Sequence, residues 1–144
     1  MDKFNVKILS INEVDKVYEL EKKYIGECDI KSIENTIESS TLSYYVLFKD
    51  NDVIGFFECS IISPEAELYD IVIDEKYHGL GYSKILMDYF LNLVKESKVE
   101  TIFLEVNSIN NKAISLYSKY GFKEYSIRKK YYGDNDAILM KKEI

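Results

Sequence analysis

The sequence has no tryptophan, one proline, one histidine and two cysteines among its 144 residues. Cys28 and Cys59 are far apart and form no Cys-x-x-Cys pair. With His78 as the single histidine, they do not supply the ligands of a zinc site. We therefore expect free thiols in a reducing compartment and no bound metal. The lone Pro64 marks no linker between domains.

Long apolar runs are also missing. The opening segment "MDKFNVKILSINEV" has no stretch long enough for the core of a signal peptide. No segment approaches the roughly 20 apolar residues that a membrane-spanning helix requires. These absences predict a cytoplasmic protein without a membrane partner.

Basic residues are fewer than acidic ones, 19 against 25, which gives a net charge of −6. That balance argues against direct nucleic-acid binding, which needs a dense basic face. It suits a cationic partner such as an amine or a basic peptide, or it serves solubility alone. The length, with 47% hydrophobic and 31% charged residues, is typical of one globular domain covering 1–144.

Hydrophobic periodicity predicts an α/β domain with the element order β-α-α-β-β-β-α-β-α-β-β. Alternating residues predict strands over 4–9, 43–49, 53–62, 66–74 and 101–107, and a final hairpin of 122–131 and 136–141. Helical spacing predicts helices over 13–25 with Asn12 as cap, 30–40, 81–96, and 111–120 with Asn110 as cap. The middle of the chain is thus a strand–helix–strand crossover.

The stretch "YHGLGYSKIL" places Gly79 and Gly81 between a predicted strand and a helix. Backbone N–H groups and the positive end of a helix dipole bind phosphate in such a geometry. A third glycine, needed for the dinucleotide pattern, is replaced by Lys84, and the P-loop sequence is missing. The glycines by themselves therefore indicate either a phosphate-binding turn or a tight turn without a ligand.

Three segments together resemble the GNAT superfamily of N-acetyltransferases: "VIDEKYHGLGYSKIL", "LEVNSINNKAISLYSKYGF" and "RKKYYGDNDAILM". Within it they are most similar to the bacterial ribosomal-protein-alanine N-acetyltransferases. The similarity runs from about Leu68 to Met140. It implies a single-domain GNAT fold, with a mixed, mostly antiparallel sheet flanked by helices, and acetyl-CoA as co-substrate.

The resemblance also implies a cofactor-binding set. In this family a Gln/Arg-x-x-Gly-x-Gly/Ala turn holds the pyrophosphate; here His78 replaces Gln or Arg, and Ser83 replaces the second small residue. A backbone edge on the preceding strand and an asparagine hold the pantetheine arm. The implied residues are Ile71, Val72, Ile73, Gly79, Leu80, Gly81, Tyr82, Ser83, Lys84 and Asn110.

Two side chains are candidates for proton transfer. Glu105 lies on a predicted central strand, on the face opposite Leu104 and Val106, where a carboxylate needs a partner, water or a task. Tyr117 lies on a core-facing helical stripe, where it packs as an aromatic or serves chemistry. The resemblance, through "LYSKYGF", implies Glu105 as general base and Tyr117 as general acid, because acyl transfer needs both.

The acceptor is implied less specifically. The resemblance points to a protein N-terminal amine, in particular the alanine end of a small-subunit ribosomal protein. Asn107 stands where those enzymes carry arginine, Ile109 replaces a small polar residue, and their Pro-Trp pair is missing. Tyr131 or Tyr132 is a candidate wall of the acceptor groove. The alternatives are a small-amine, polyamine or lysine acetyltransferase, a non-catalytic acyl-CoA-binding module, and a structural domain without a ligand.

Overall fold

The computed structural model describes residues 2–144, which form seven strands and four α-helices in the predicted order. The strands are β1 (Phe4–Ile8), β2 (Leu42–Lys49), β3 (Asp52–Ile62), β4 (Glu65–Ile73), β5 (Thr101–Asn107), β6 (Lys123–Tyr132) and β7 (Asn135–Glu143). The helices are α1 (Val14–Tyr24), α2 (Ile30–Asn35), α3 (Ser83–Glu96) and α4 (Asn111–Lys119). Within 2–144, none of the helices has the length and apolar character needed to cross a membrane.

All strands join one sheet in the order β1-β2-β3-β4-β5-β7-β6. Every neighbouring pair is antiparallel except β4 and β5, which α3 connects as a crossover. A parallel pair needs such a long connection, because a tight turn reverses the chain. The mixed, mostly antiparallel sheet flanked by helices is confirmed.

Each face of the sheet has its own apolar cluster. Helices α1 and α2 cover one face through Leu9, Val14, Val17, Leu20, Ile33, Tyr44, Val46, Phe56 and Val72. Helices α3 and α4 cover the other through a larger cluster that includes Phe57, Leu68, Leu86, Phe90, Val94, Leu104 and Tyr117. Strand β6 is exposed along its whole length at one edge of the sheet.

Some predicted helix boundaries were wrong. A 3-10 turn over Ile11–Glu13 precedes α1, so Asn12 is not its cap; instead the Glu13 carboxylate accepts a hydrogen bond from the Ser10 N–H at 3.0 Å. The helix predicted over 30–40 is α2 followed by a 3-10 turn, Thr36–Glu38. Helix α3 begins at Ser83, because Gly81 has a φ of 79°, which is outside the helical region.

Candidate active site

Strands β4 and β5 pair at one end only. Their register joins residues 65–67 to residues 101–103 and ends there. The register between β3 and β4 also shifts after Glu58, which leaves Tyr69 without a partner on β3. Such a bulge bends a strand and increases its twist. The two strands therefore separate into a gap between residues 69–73 and 104–107, which we call the β4–β5 opening.

The edge of β4 presents backbone groups to this opening. The Ile73 carbonyl accepts a hydrogen bond from Nε2 of His78, while the Asp74 N–H, one residue on, donates to the Ile54 carbonyl of β3 at 2.8 Å. Backbone groups of alternate residues point the same way in a strand, so those of Ile71 also face outward. Val72 faces β3 instead. Of the predicted edge residues, Ile71 and Ile73 thus have their backbone groups on the side of the opening.

Gly55 of β3 lets β3 and β4 approach each other closely near the end of β4. It lies opposite Ile73, and a Cβ at position 55 would lie 2.5 Å from the Val72 carbonyl oxygen. A larger residue there would push β4 away, since real Cβ atoms do not approach so closely. The glycine therefore fixes where the edge of β4 lies.

The glycine turn follows β4 directly. Gly79 and Gly81 have φ values of 77° and 79°, a left-handed conformation that glycine adopts at little cost. A Cβ at either position would meet nothing within 4 Å, so glycine is favoured by the backbone angle and not by crowding. Helix α3 then starts at Ser83 and runs for 14 residues.

The turn fits a diphosphate group. Within residues 2–144, the backbone N–H groups of residues 79–82 donate no hydrogen bond to backbone or side chain. They lie beside the positive end of the α3 dipole, the arrangement that binds phosphate. Only the backbone of Tyr82 is directed to the turn, because its ring packs on Phe4 at 4.7 Å between centroids. Leu80 and Lys84 are exposed at the turn, and Ser83 is half-buried.

His78 holds the turn to the strand that precedes it. A carbonyl oxygen accepts only, so the Nε2 atom that contacts the Ile73 carbonyl carries a hydrogen. The imidazole ring also lies 6.2 Å from the Tyr24 ring of α1. In this chain, therefore, the residue in the place of the family's Gln or Arg ties the turn to the end of β4.

Glu105 lies on β5 on the face opposite Leu104 and Val106, as the alternation predicts. Its side chain is 29% exposed, and its Oε1 lies 3.3 Å from Nη1 of Arg128 on β6. It lines an open groove of about 260 Å³ on the same sheet face as α1 and α2, but over strands β5–β7, which contribute no residue to the apolar cluster of those helices. The groove is formed by Glu65, Glu67, Phe103, Leu104, Glu105, Tyr125, Arg128 and Leu139. A cationic amine would therefore meet three carboxylates and one guanidinium there.

Tyr117 is 7% exposed and packs its ring on Phe122, with 5.9 Å between centroids. Its hydroxyl has no hydrogen-bond partner within residues 2–144, yet this part of the chain contains no fully enclosed side-chain polar atom that lacks one. The hydroxyl must therefore reach solvent. Burial raises the pKa of the phenol above its ordinary value, and the nearby charges of Asp70 and Tyr132 raise it further. The phenol accordingly keeps its proton at neutral pH.

A row of polar side chains that the sequence did not predict crosses the sheet beside the opening. Tyr44, Glu58 and Asp70 are successive cross-strand neighbours on β2, β3 and β4, and Glu21 of α1 accepts a hydrogen bond from the Tyr44 hydroxyl. Burial, helped by the charge of Glu21, raises the pKa values of Glu58 and Asp70 to about 7. Asp70 is thus half-protonated near neutrality, within electrostatic reach of Tyr117.

Tyr132 of β6 lies within electrostatic reach of both sides of the opening. Its pKa is raised by burial first and then by the charges of Glu105, Tyr131 and Asp70, so it lies near residues of both β4 and β5. Tyr131 packs against it edge-on at 5.1 Å, and both rings are about half exposed. Tyr131 also lies 5.5 Å from the guanidinium of Arg128, so the two tyrosines are next to the side of the groove that Arg128 lines.

The loop after β5 places the two asparagines differently. Asn110 caps α4 as predicted, since its Oδ1 accepts a hydrogen bond from the Ala113 N–H at 3.2 Å. Asn107 uses its Oδ1 to accept from the Ile109 N–H at 3.2 Å. Asn107 therefore shapes the loop, and the exposed Ile109 is left at its surface.

Of the residues that the sequence did not predict, Asp70 has a recognisable sequence pattern around it. An aspartate inside the apolar strand "AELYDIVID" is as unusual as the glutamate inside "TIFLEVN". Arg128 has no comparable signal, because its contact with Glu105 depends on β7 lying between β5 and β6. Within residues 2–144, no three His, Cys, Asp or Glu side chains are grouped to hold a metal ion.

Comparison with known proteins identifies the family of this chain. The model of the acetyltransferase (GNAT) family matches residues 11–122. The chain belongs to the GNAT family and is an N-acetyltransferase, and enzymes of this family use acetyl-CoA.

Two similar proteins are named for the acetylation of a ribosomal-protein alanine. The [ribosomal protein bS18]-alanine N-acetyltransferase of Haemophilus influenzae is 33% identical over 134 residues, which is 89% of this chain and 90% of that protein. The crystal structure of the ribosomal-protein-S18-alanine N-acetyltransferase from Escherichia coli has a TM-score of 0.89 at 24% identity, covering 99% of this chain and 94% of that one. A Thermoplasma acidophilum PaiA N-acetyltransferase in complex with coenzyme A has the same fold, with a TM-score of 0.80, 22% identity and 99% coverage of both chains.

Proposed function

We propose that this enzyme acetylates the N-terminal α-amine of a protein, and that the acceptor is the N-terminal alanine of ribosomal protein bS18. The Haemophilus influenzae relative, which bears that activity in its name, supports this acceptor because it matches nearly the whole chain. The groove supports it as well, because it is open and lined by Glu65, Glu67 and Glu105. A peptide backbone fits an open groove, and a terminal ammonium is attracted by carboxylates.

Acetyl-CoA supplies the activated acyl group. In our proposal the N–H groups of Gly79, Leu80, Gly81 and Tyr82, and the start of α3 at Ser83 and Lys84, bind its diphosphate. The edge of β4 from Ile71 to Ile73 binds the pantetheine amides as an added strand would. Asn110 adds a side-chain contact. The single observation that supports this arrangement most strongly is the set of free N–H groups in the glycine turn.

Two residues move protons in this proposal. Glu105, directly or through a water, takes a proton from the acceptor ammonium, because only the free amine has the lone pair that attacks. Tyr117 gives its proton to the departing sulfur, and its raised pKa keeps that proton in place until the sulfur carries charge. Over the whole reaction the amine nitrogen loses two protons. One passes through Glu105 to solvent, and the other replaces the proton that Tyr117 gave to the thiolate.

The proposal is tested by measuring thiol release with acetyl-CoA and three acceptors: a synthetic bS18 N-terminal peptide, the same peptide with its α-amine blocked, and spermidine. We expect turnover with the free peptide alone. Turnover with spermidine alone would favour the polyamine alternative, for which the acidic groove is equally suitable. Coenzyme A that stabilises the protein without turnover of any amine would indicate a non-catalytic acyl-CoA-binding module.

A further inference from the structure

The carboxylate of Glu105 already has a cation beside it. Arg128 approaches it at 3.3 Å, and the guanidinium lies 5.5 Å from the ring centre of Tyr131. Arg128 lies opposite Ala137 of β7, and the register is broken between it and Tyr132. The arginine is therefore held at the rim of the groove beside an irregular part of β6.

An acceptor ammonium and this guanidinium compete for the same carboxylate. A base must come within roughly 3 Å of the proton-bearing nitrogen, which is where the Arg128 side chain now lies. The side chains are 54% and 29% exposed, and an ion pair with that exposure contributes only about 0–1 kcal/mol. The pair is thus weak enough for a bound substrate to displace.

We propose that Arg128 is a displaceable counter-ion of Glu105 that sets the affinity for cationic acceptors. This inference rests on the proposed function. Before an acceptor binds, the guanidinium neutralises Glu105; when the ammonium enters, the arginine stays on Tyr131 and releases the carboxylate. Arg128 thereby weakens the binding of every cationic amine, and it does so through Glu105 and not by touching the reacting atoms.

The charges around the pair fit this role. Glu65 and Glu67 of β4 line the same groove, and Tyr132 of β6 lies within the electrostatic reach of Glu105. Removal of the guanidinium would leave three carboxylates and no cationic side chain in the lining of the groove, with Lys141 beside it over the ring of Tyr125. The groove would then attract an ammonium more strongly.

The test is steady-state kinetics with the bS18 peptide and three variants. Arg128→Met removes the charge and keeps much of the stem; Arg128→Lys keeps the charge. Lys129→Met is the matched control, because Lys129 is the next residue, is 80% exposed and pairs with Asp136 instead. We expect Arg128→Met to lower the acceptor KM about two- to five-fold, as a pair of this strength predicts. The KM for acetyl-CoA should not change, and Lys129→Met should have no effect.

A second readout separates competition from a structural role. Above pH 9 the α-amine is mostly neutral, so the advantage of Arg128→Met should shrink towards none. An acceptor KM that is unchanged or raised in Arg128→Met, or lowered equally in Lys129→Met, would overturn the inference. If Arg128→Met does not fold, Arg128→Gln serves in its place. Absence of acetyl transfer by the unaltered enzyme would instead refute the proposed function.

Discussion

Strands β4 and β5 are paired at one end and separated at the other. At the closed end, residues 65–67 pair with residues 101–103, and their backbone groups are used within the sheet. At the open end the same two strands separate, with Glu105 on β5 at one side and Asp70, which acts electrostatically on Tyr117, on β4 at the other. The difference shows where a ligand can be bound: only unpaired backbone groups and uncovered side chains are available to it, and these occur where the strand pairing ends.

Removal of the phenol hydroxyl of Tyr117 at the open end should reduce catalysis most. We expect Tyr117→Phe to lower kcat about 100-fold or more, the usual size of a lost general acid. The KM for acetyl-CoA should change little, since the ring and its packing on Phe122 are retained. Steady-state thiol release measures both constants. An unchanged kcat would refute the acid role.

The two ends can be compared directly through their carboxylates. Glu105→Gln at the open end should lower kcat about 100-fold, because the variant has no base. Glu67→Gln, in the same groove beside the closed end, removes the same charge and should change kcat less than about two-fold. Thiol release over pH 6–9 measures both. Equal losses in the two variants would mean that groove charge, and not proton transfer, explains the effect.

The glycine turn offers a third comparison. Gly81→Ala should raise the KM for acetyl-CoA about ten-fold, because alanine in the left-handed backbone conformation costs about 1–2 kcal/mol and the turn will change its conformation to avoid that cost. Gly133→Ala is the control, since Gly133 has a φ of 70° in the turn between β6 and β7. Both variants should lose similar thermal stability, while only Gly81→Ala should lose affinity. Thermal unfolding with and without coenzyme A measures this difference, and equal coenzyme stabilisation of both variants would contradict it.

The smallest expected effect concerns Asp70. Its folded pKa of about 7 lies above its ordinary value of 3.8 because of burial and the charge of Glu21. Its contribution to stability is therefore complete below pH 4 and is lost as pH rises to 7. Asp70→Asn should match the wild type at pH 4 and exceed it at pH 8 by on the order of 1 kcal/mol, or about 2–5 °C in Tm.

Glu58 provides the check on that result. Its pKa is also raised to about 7, so some pH dependence should remain in Asp70→Asn and weaken further when Glu58→Gln is added. Melting temperatures measured at intervals from pH 4 to pH 8 give the slopes. Curves for Asp70→Asn and wild type that run parallel over this range would show that Asp70 does not titrate as described.

Much of the fold follows from local pattern. The order of the elements, the face of Glu105 and the Asn110 cap depend on residues near in sequence, where periodicity and capping act directly. The boundaries that failed, at Asn12 and before Ser83, depend on 3-10 turns and on left-handed glycine. Hydrophobic spacing does not encode these features.

The site was less predictable for a physical reason. Asp70 meets Glu58 through a bulged cross-strand register, and Arg128 meets Glu105 because a third strand lies between theirs. Such contacts are set by sheet order and register, which depend on packing across the whole domain. The resemblance to a family indicated Glu105 and Tyr117, but it did not indicate the charged side chains around them.

The outermost strand of the sheet is held less firmly than the strands inside it. Strand β6, which carries Arg128, Tyr131 and Tyr132, is hydrogen-bonded to β7 alone and is solvated along its length. An edge held on one side bends at lower cost than a strand held on two. If the groove binds the acceptor as proposed, bending of this one hairpin accommodates acceptors of different bulk, while the glycine turn and the edge of β4 keep their positions.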